Sequence, residues 1–147
     1  MARDSYQGVT EQAKASKHRR EDAQTLHDGG RWRGAMYVAG YAVECLLKAK
    51  LMKQYGCHHL NDLEDELRRR GLMSEQATVY THQLEHLLEW TQTIDRLRLS
   101  ARLWRTFNLV NRWLPAWRYD TDPSNGDDCT AFLESVDTIL HWIQYSV

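Results

Sequence analysis

Proline, glycine and cysteine are all scarce in this chain of 147 residues, at two, eight and three. With only Pro115 and Pro123, long stretches are free of helix breakers, and so few turn residues exclude a chain of many short hairpins. Three cysteines without repeated spacing exclude a disulfide framework, which predicts a reduced, cytoplasmic setting. No apolar run approaches the roughly 18 residues of a membrane helix, and the opening MARDSYQGVTEQ lacks the apolar centre of a signal peptide. No membrane association is expected. Glycine-rich phosphate loops, G-x-S-x-G and C-x-x-C are also missing, so no cofactor is expected. An excess of one charge is lacking too. Against 19 Lys and Arg stand 20 Asp and Glu, so no global field drives the chain onto nucleic acid.

What remains is 42% apolar and 27% charged, the balance of an ordinary folded domain. The expectation is one domain over residues 1–147, all-α, arranged as an antiparallel up-and-down four-helix bundle with an additional short helix. A polar helix over about 9–28 ends at Asp28-Gly29-Gly30. The segment 31–55 carries Ala35, Ala39, Ala42, Leu46 and Ala49 on one face, which marks a central helix approached closely by a neighbour. Residues 60–70 offer three acid-to-base pairs at i,i+4 and read as the short helix. Thr81 is placed to cap a helix over about 82–95. Another should cover 98–113 and stop before Pro115. After the loop Asp122–Gly126, the last helix begins at Asp127 or Asp128 and runs to about 145.

Charge is balanced in total but segregated along the chain. Residues 96–118 hold six arginines and no acid, whereas 119–147 hold six acids and no Lys or Arg. On a continuous helix, Arg98, Arg102, Arg105 and Arg112 fall within an arc of about 80°, at about 100° per residue. Leu99, Leu103, Trp104, Phe107, Val110 and Leu114 take the opposite half. The arginine face is either solvated or fitted to an acidic protein surface or a phosphate backbone, and guanidinium forks suit the last two. Trp113, Trp117 and Tyr119 cluster beside Arg112 and Arg118. Aromatic and Arg side chains together stack on single-stranded bases or form protein interfaces, and the same aromatics also serve to lock a turn onto a core.

Three pieces of sequence resemble the HEPN family (higher eukaryotes and prokaryotes nucleotide-binding domains). They are the segment from Ala35 to Ala49 with its Glu44-x-x-x-Lys48 pair, His82-x-Leu84-x-x-Leu87 in mid-chain, and Trp117-Arg118-Tyr119 before the last helix. The resemblance implies a four- or five-helix bundle that dimerises, often beside a small nucleotidyltransferase partner. It also implies a role around RNA or nucleotides, including toxin–antitoxin and defence systems. The surplus of aromatics, six Trp and seven Tyr, likewise favours a homodimer. Active members of the family are metal-independent ribonucleases with Arg-x4–6-His near the last helix. Here the next histidine after Arg118 is His141, and the one formal match is Arg20-x6-His27 in the first helix, whose Cα atoms lie about 10.5 Å apart along the axis.

The reading preferred from sequence is a non-catalytic, dimeric binding module. Arg98, Arg102, Arg105, Arg112, Trp117, Arg118 and Tyr119 are its candidate ligand or partner contacts. The alternative is a ribonuclease using Arg20 with His27, or Arg118 with another group. His82-Gln83-Leu84-Glu85-His86 matches the H-x-x-E-H zinc pattern but lacks a third ligand, and Cys57-His58-His59 falls short as well, so no metal site is assigned. Cys45 reads as a small hydrophobe, and Cys129 lies near a helix N-terminus, where thiol pKa values can fall.

Overall fold

In the computed structural model, residues 8–147 are described; the first seven, part of the stretch searched for a signal core, lie outside it. Helix α1, Val9–Asp28, ends where Gly30, at φ 74°, reverses the chain and the Arg31 N–H bonds back to Leu26 O at 2.8 Å. Helix α2, Trp32–Gln54, then returns antiparallel to α1. The small stripe is buried as expected, and α1 comes close enough for Ser16 Oγ to donate to Ala42 O at 2.7 Å. Helix α3, Leu60–Arg69, buries Leu60, Leu63 and Leu67 and pairs its outer face through Glu64–Arg68 and Glu66–Arg70.

The middle of the chain departs from the sequence expectation. Instead of one helix over 82–95 there are two, α4 at Leu84–Trp90 and α5 at Ile94–Arg98. Thr91 Oγ1 bonds to Leu88 O and to Thr93 Oγ1, and Gln92 takes φ 61°. Hydroxyls that bond nearby backbone compete with the helical ladder. The carbonyls freed at the break are taken by α2: Tyr55 Oη donates to Trp90 O at 2.7 Å, and Gln54 Nε2 to Thr91 O at 2.9 Å. Thr81 does not cap α4; its hydroxyl accepts from Gln83 N before the helix begins.

Helix α6 is Ala101–Val110, not 98–113, because the Ser100 side chain caps it by accepting from Leu103 N at 3.2 Å. A 3₁₀ turn, Pro115–Tyr119, follows, and α7, Gly126–Ser146, completes the chain. Its cap is Asn125, whose Oδ1 accepts from Asp128 N at 2.8 Å; Asp127 and Asp128 sit in the first turn. The Trp32 indole lies against the start of α7 beside Gly126.

The fold is an all-α bundle, as expected, with no strand among the described residues beyond an isolated bridge between Gly8 and His59. Helices α6 and α7 are antiparallel. Helix α7 runs parallel to α2, with Gly126 beside Trp32 at one end and Lys50 Nζ donating to Gln144 O at the other. It runs antiparallel to α1, where Arg20 pairs with Asp137 and His27 with Thr130. Parallel alternate helices are what up-and-down order produces. The core joins Val43, Leu47 and Leu51 of α2 to Phe107, Phe132, Val136, Ile139 and Ile143. No described helix is long and apolar enough to cross a membrane.

Two glycines of α2 have opposite surroundings. Trp113 lies directly over Gly40, so a methyl group there would overlap its ring, whereas the nearest neighbour to a methyl at Gly34 is Leu26 Cδ1 at 4.0 Å. Gly40→Ala is expected to lose about 1–3 kcal/mol through overpacking. Gly34→Ala should gain about 0.5–1 kcal/mol from helix propensity. Urea unfolding of the two variants checks both signs.

Candidate functional site

Helix α2 has a second face that the alanine pattern hides. Arg33, Tyr37, Tyr41, Glu44 and Lys48 follow one another at steps of four, four, three and four, which stacks them along one side of the helix. The structure fills this stripe with partners from distant segments.

At its N-terminal end lies a cleft of about 490 Å³, walled by the start of α2, the 3₁₀ turn and the acidic loop after it. Arg31, Arg33 and Arg118 line it with Tyr37, Trp117 and Asp120. Trp117 is anchored from below by Phe132, ring centres 5.6 Å apart, and carries the Arg33 guanidinium 4.8 Å from its own ring centre. Pro115 starts the 3₁₀ turn, and its fixed φ suits that position. The loop is folded by its carboxylates: Asp120 Oδ1 accepts from Asp122 N, and Asp122 Oδ1 from Ser124 N. Pro123 O accepts from Arg33 N at 3.1 Å.

Arg33 is incompletely matched. Its Nε lies 3.4 Å from Asp120 Oδ2, outside hydrogen-bond geometry, and this buried nitrogen makes no hydrogen bond. A buried donor without an acceptor costs free energy that an anion can return. The adjoining end of α2 has no side-chain cap, and the helix dipole adds to the positive character of the cleft. Two carboxylates set against three guanidiniums leave one excess positive charge.

Further along, Tyr37 Oη donates to Tyr41 Oη at 3.3 Å. Burial, then the Tyr37 hydroxyl and the Glu44 charge, push the Tyr41 phenol well above its ordinary pKa, while Arg118 acts in the opposite direction. Trp113 meets Tyr41 edge-on at 4.8 Å and donates from Nε1 to Tyr37 O at 2.8 Å. Glu44 and Lys48 are both buried and paired at 3.2 Å. The second Glu44 oxygen accepts from His82 Nδ1 at 2.6 Å. Glu44 and Lys48 of the Ala35–Ala49 segment and His82 of the mid-chain motif therefore meet in space, and Trp117-Arg118-Tyr119 lies one turn beyond Trp113.

The other residues singled out from sequence divide differently. Arg118 lines the cleft, its guanidinium 5.3 Å from the ring of an exposed Tyr119. The four-arginine stripe is not one face, because the chain breaks at Ser100. Arg98 belongs to α5, pairs with Asp95 and lies over Trp104; Arg112 follows α6 and donates to Leu109 O. Arg102 and Arg105 remain on α6, exposed. For the same reason Leu99 and Leu114, expected on the buried half, are exposed.

Arg20 is clamped by Asp137 at 2.6 and 2.9 Å, and His27 Nε2 bonds Thr130 Oγ1 at 2.8 Å, so both tie α1 to α7. His82 lies outside α4 and turns to Glu44, while His86 neighbours Trp90, so the two do not meet as an i,i+4 pair. His59 caps α3 through Nδ1. Cys129 is buried, and burial raises its thiol pKa, opposite to the helix-end expectation; Cys45 is pushed to about 11 by the same cause. Sequence reading missed Arg31, Arg33, Tyr37, Tyr41 and the Glu44–His82 contact. The polar and aromatic repeat along α2 was the available signal.

No family model matches the chain, and no curated protein or solved structure matches it either.

The buried pair makes a sharp test of this arrangement. Glu44→Ala leaves Lys48 charged and unpaired and is expected to cost about 3–5 kcal/mol in urea unfolding. Glu44→Gln combined with Lys48→Met removes both charges at similar volume and should restore most of that loss.

Proposed function

We propose that this protein is a non-catalytic binding module for a phosphate-bearing ligand, RNA or a nucleotide, held in the cleft at the start of α2. One observation carries the reading: Arg31, Arg33 and Arg118, from two separate segments, line the same cleft beside Tyr37 and Trp117. Guanidinium forks match phosphate oxygens in pairs, and aromatic walls suit a base. Asp120 stands beside Arg33 in the free protein, and an incoming phosphate takes its place and supplies the acceptor that Arg33 Nε lacks. Among the described residues no histidine lines the cleft, which favours binding over acid–base cleavage. The resemblance to HEPN domains adds the rest of the reading: a homodimer, working beside a nucleotidyltransferase partner in a toxin–antitoxin or defence setting.

Fluorescence anisotropy with a short labelled single-stranded RNA tests it. Three phosphate contacts give a slope of log K against log salt of about −2, at about 0.7 per contact. Arg118→Ala should weaken binding while leaving the circular-dichroism spectrum and the unfolding midpoint unchanged, since that side chain is exposed. Binding that survives Arg118→Ala but falls in an Arg102→Ala, Arg105→Ala double variant moves the site to α6. Cleavage of the RNA, lost in Arg118→Ala or His27→Ala, replaces the reading with a ribonuclease.

A further inference from the structure

On the other side of Trp113 lies a second groove, of about 560 Å³, lined by His82, Gln83, Glu85, Asn111, Trp113 and Leu114 among others. Its one imidazole is held on several sides. His82 Nδ1 is bonded to Glu44 at 2.6 Å, and the ring stands edge-on to Tyr41 at 5.9 Å and to Trp113 at 6.5 Å. The Glu44 side chain is 7% exposed and the His82 side chain 49%, so the carboxylate is behind the ring and the groove in front of it. Nε2 makes no hydrogen bond among the described residues. A carboxylate on Nδ1 fixes the tautomer that carries its proton there and leaves the Nε2 lone pair outward. It also stabilises positive charge that forms on the ring. Lys48, on the far side of Glu44, keeps that carboxylate in place from within the core.

We propose that His82 Nε2 is a covalent acceptor for neutral activated acyl groups, such as esters and thioesters, with Glu44 as its positioning residue. In the step, the Nε2 lone pair attacks the acyl carbonyl carbon. The bond from that carbon to the leaving oxygen or sulfur breaks, and the electron pair departs with the leaving group. The Nδ1 proton stays on the ring against Glu44, which gives an acylimidazolium whose charge that carboxylate balances, and the leaving group takes its proton from solvent. Water can then attack the same carbon, release the acid and restore the imidazole. Glu85, tied to Asn111 at 3.4 Å, places a negative charge in the groove and disfavours phosphoryl or carboxylated donors, which is why the class is neutral. The other exposed histidines, His18, His58, His86 and His141, have no buried carboxylate behind them among the described residues.

The test is competitive labelling of the whole chain with substoichiometric diethyl pyrocarbonate, a neutral acylating probe, mapped by mass spectrometry. His82 should be ethoxyformylated first and faster than each of those four. In the Glu44→Gln, Lys48→Met double variant, the His82 rate relative to His86 in the same sample should fall to near one, a ratio that a general loss of stability does not move selectively. His82→Gln should abolish the fast phase and leave labelling of the other histidines unchanged. Labelling of His82 no faster than His86 in the unaltered protein overturns the proposal, as does a fast phase that survives His82→Gln. RNA binding in the first cleft is scored separately, so failure there leaves this result standing.

Discussion

The Trp113 indole lies in the space that a side chain at position 40 would occupy, and its N–H is bonded to the Tyr37 carbonyl of the same helix. This contact pins the segment after α6 to the middle of α2, at one depth and in one orientation. The 3₁₀ turn that follows begins two residues later, so the direction in which Trp117 and Arg118 leave the bundle is set here. The face of Trp113 toward Tyr41 and His82 forms the wall of the second groove. Both clefts thus depend on the absence of a single Cβ. A glycine inside a helix costs about 1 kcal/mol relative to alanine. The burial of an indole with its N–H satisfied offsets that loss several times over.

A charged stripe on a central helix is expensive unless each charge finds a partner. Along α2 the cost is met differently at the two ends. Deep in the bundle, Glu44 is fully engaged, one oxygen on Lys48 and the other on His82. Near the surface, Arg33 has only a misaligned Asp120 and a stacked Trp117. The engaged end fixes His82 in its groove, and the open end has binding capacity to spare. That contrast, rather than the number of arginines in the chain, distinguishes the cleft from the exposed arginines of α6.

Much of the fold was legible because glycine and proline mark it: Gly29-Gly30 and Gly56 bound α2, and Pro115 closes the α6 region. The small-residue stripe was legible for the same reason, as a period-matched pattern needing only the sequence of one segment. The breaks at Thr91–Thr93 and Ser100 were not. They arise where hydroxyls take backbone partners and where Tyr55 and Gln54, more than 30 positions away, capture the carbonyls set free. Periodicity cannot register a competitor that comes from another helix. Missing the break at Ser100 is what merged Arg98, Arg102, Arg105 and Arg112 into one apparent face.

At the candidate site the same division holds. Trp117 and Arg118 were visible as an aromatic and arginine cluster beside a proline. Arg33 and Tyr37 sit in a segment whose alanine stripe already accounts for it as core, which masks the face they share with Glu44. His82 and Glu44 are 38 positions apart, and only the packing of α4 parallel to α2 brings them together. Once joined, the stripe links the two clefts: Tyr37 lines the first, Tyr41 touches Trp113 and His82 of the second, and their hydroxyls are bonded.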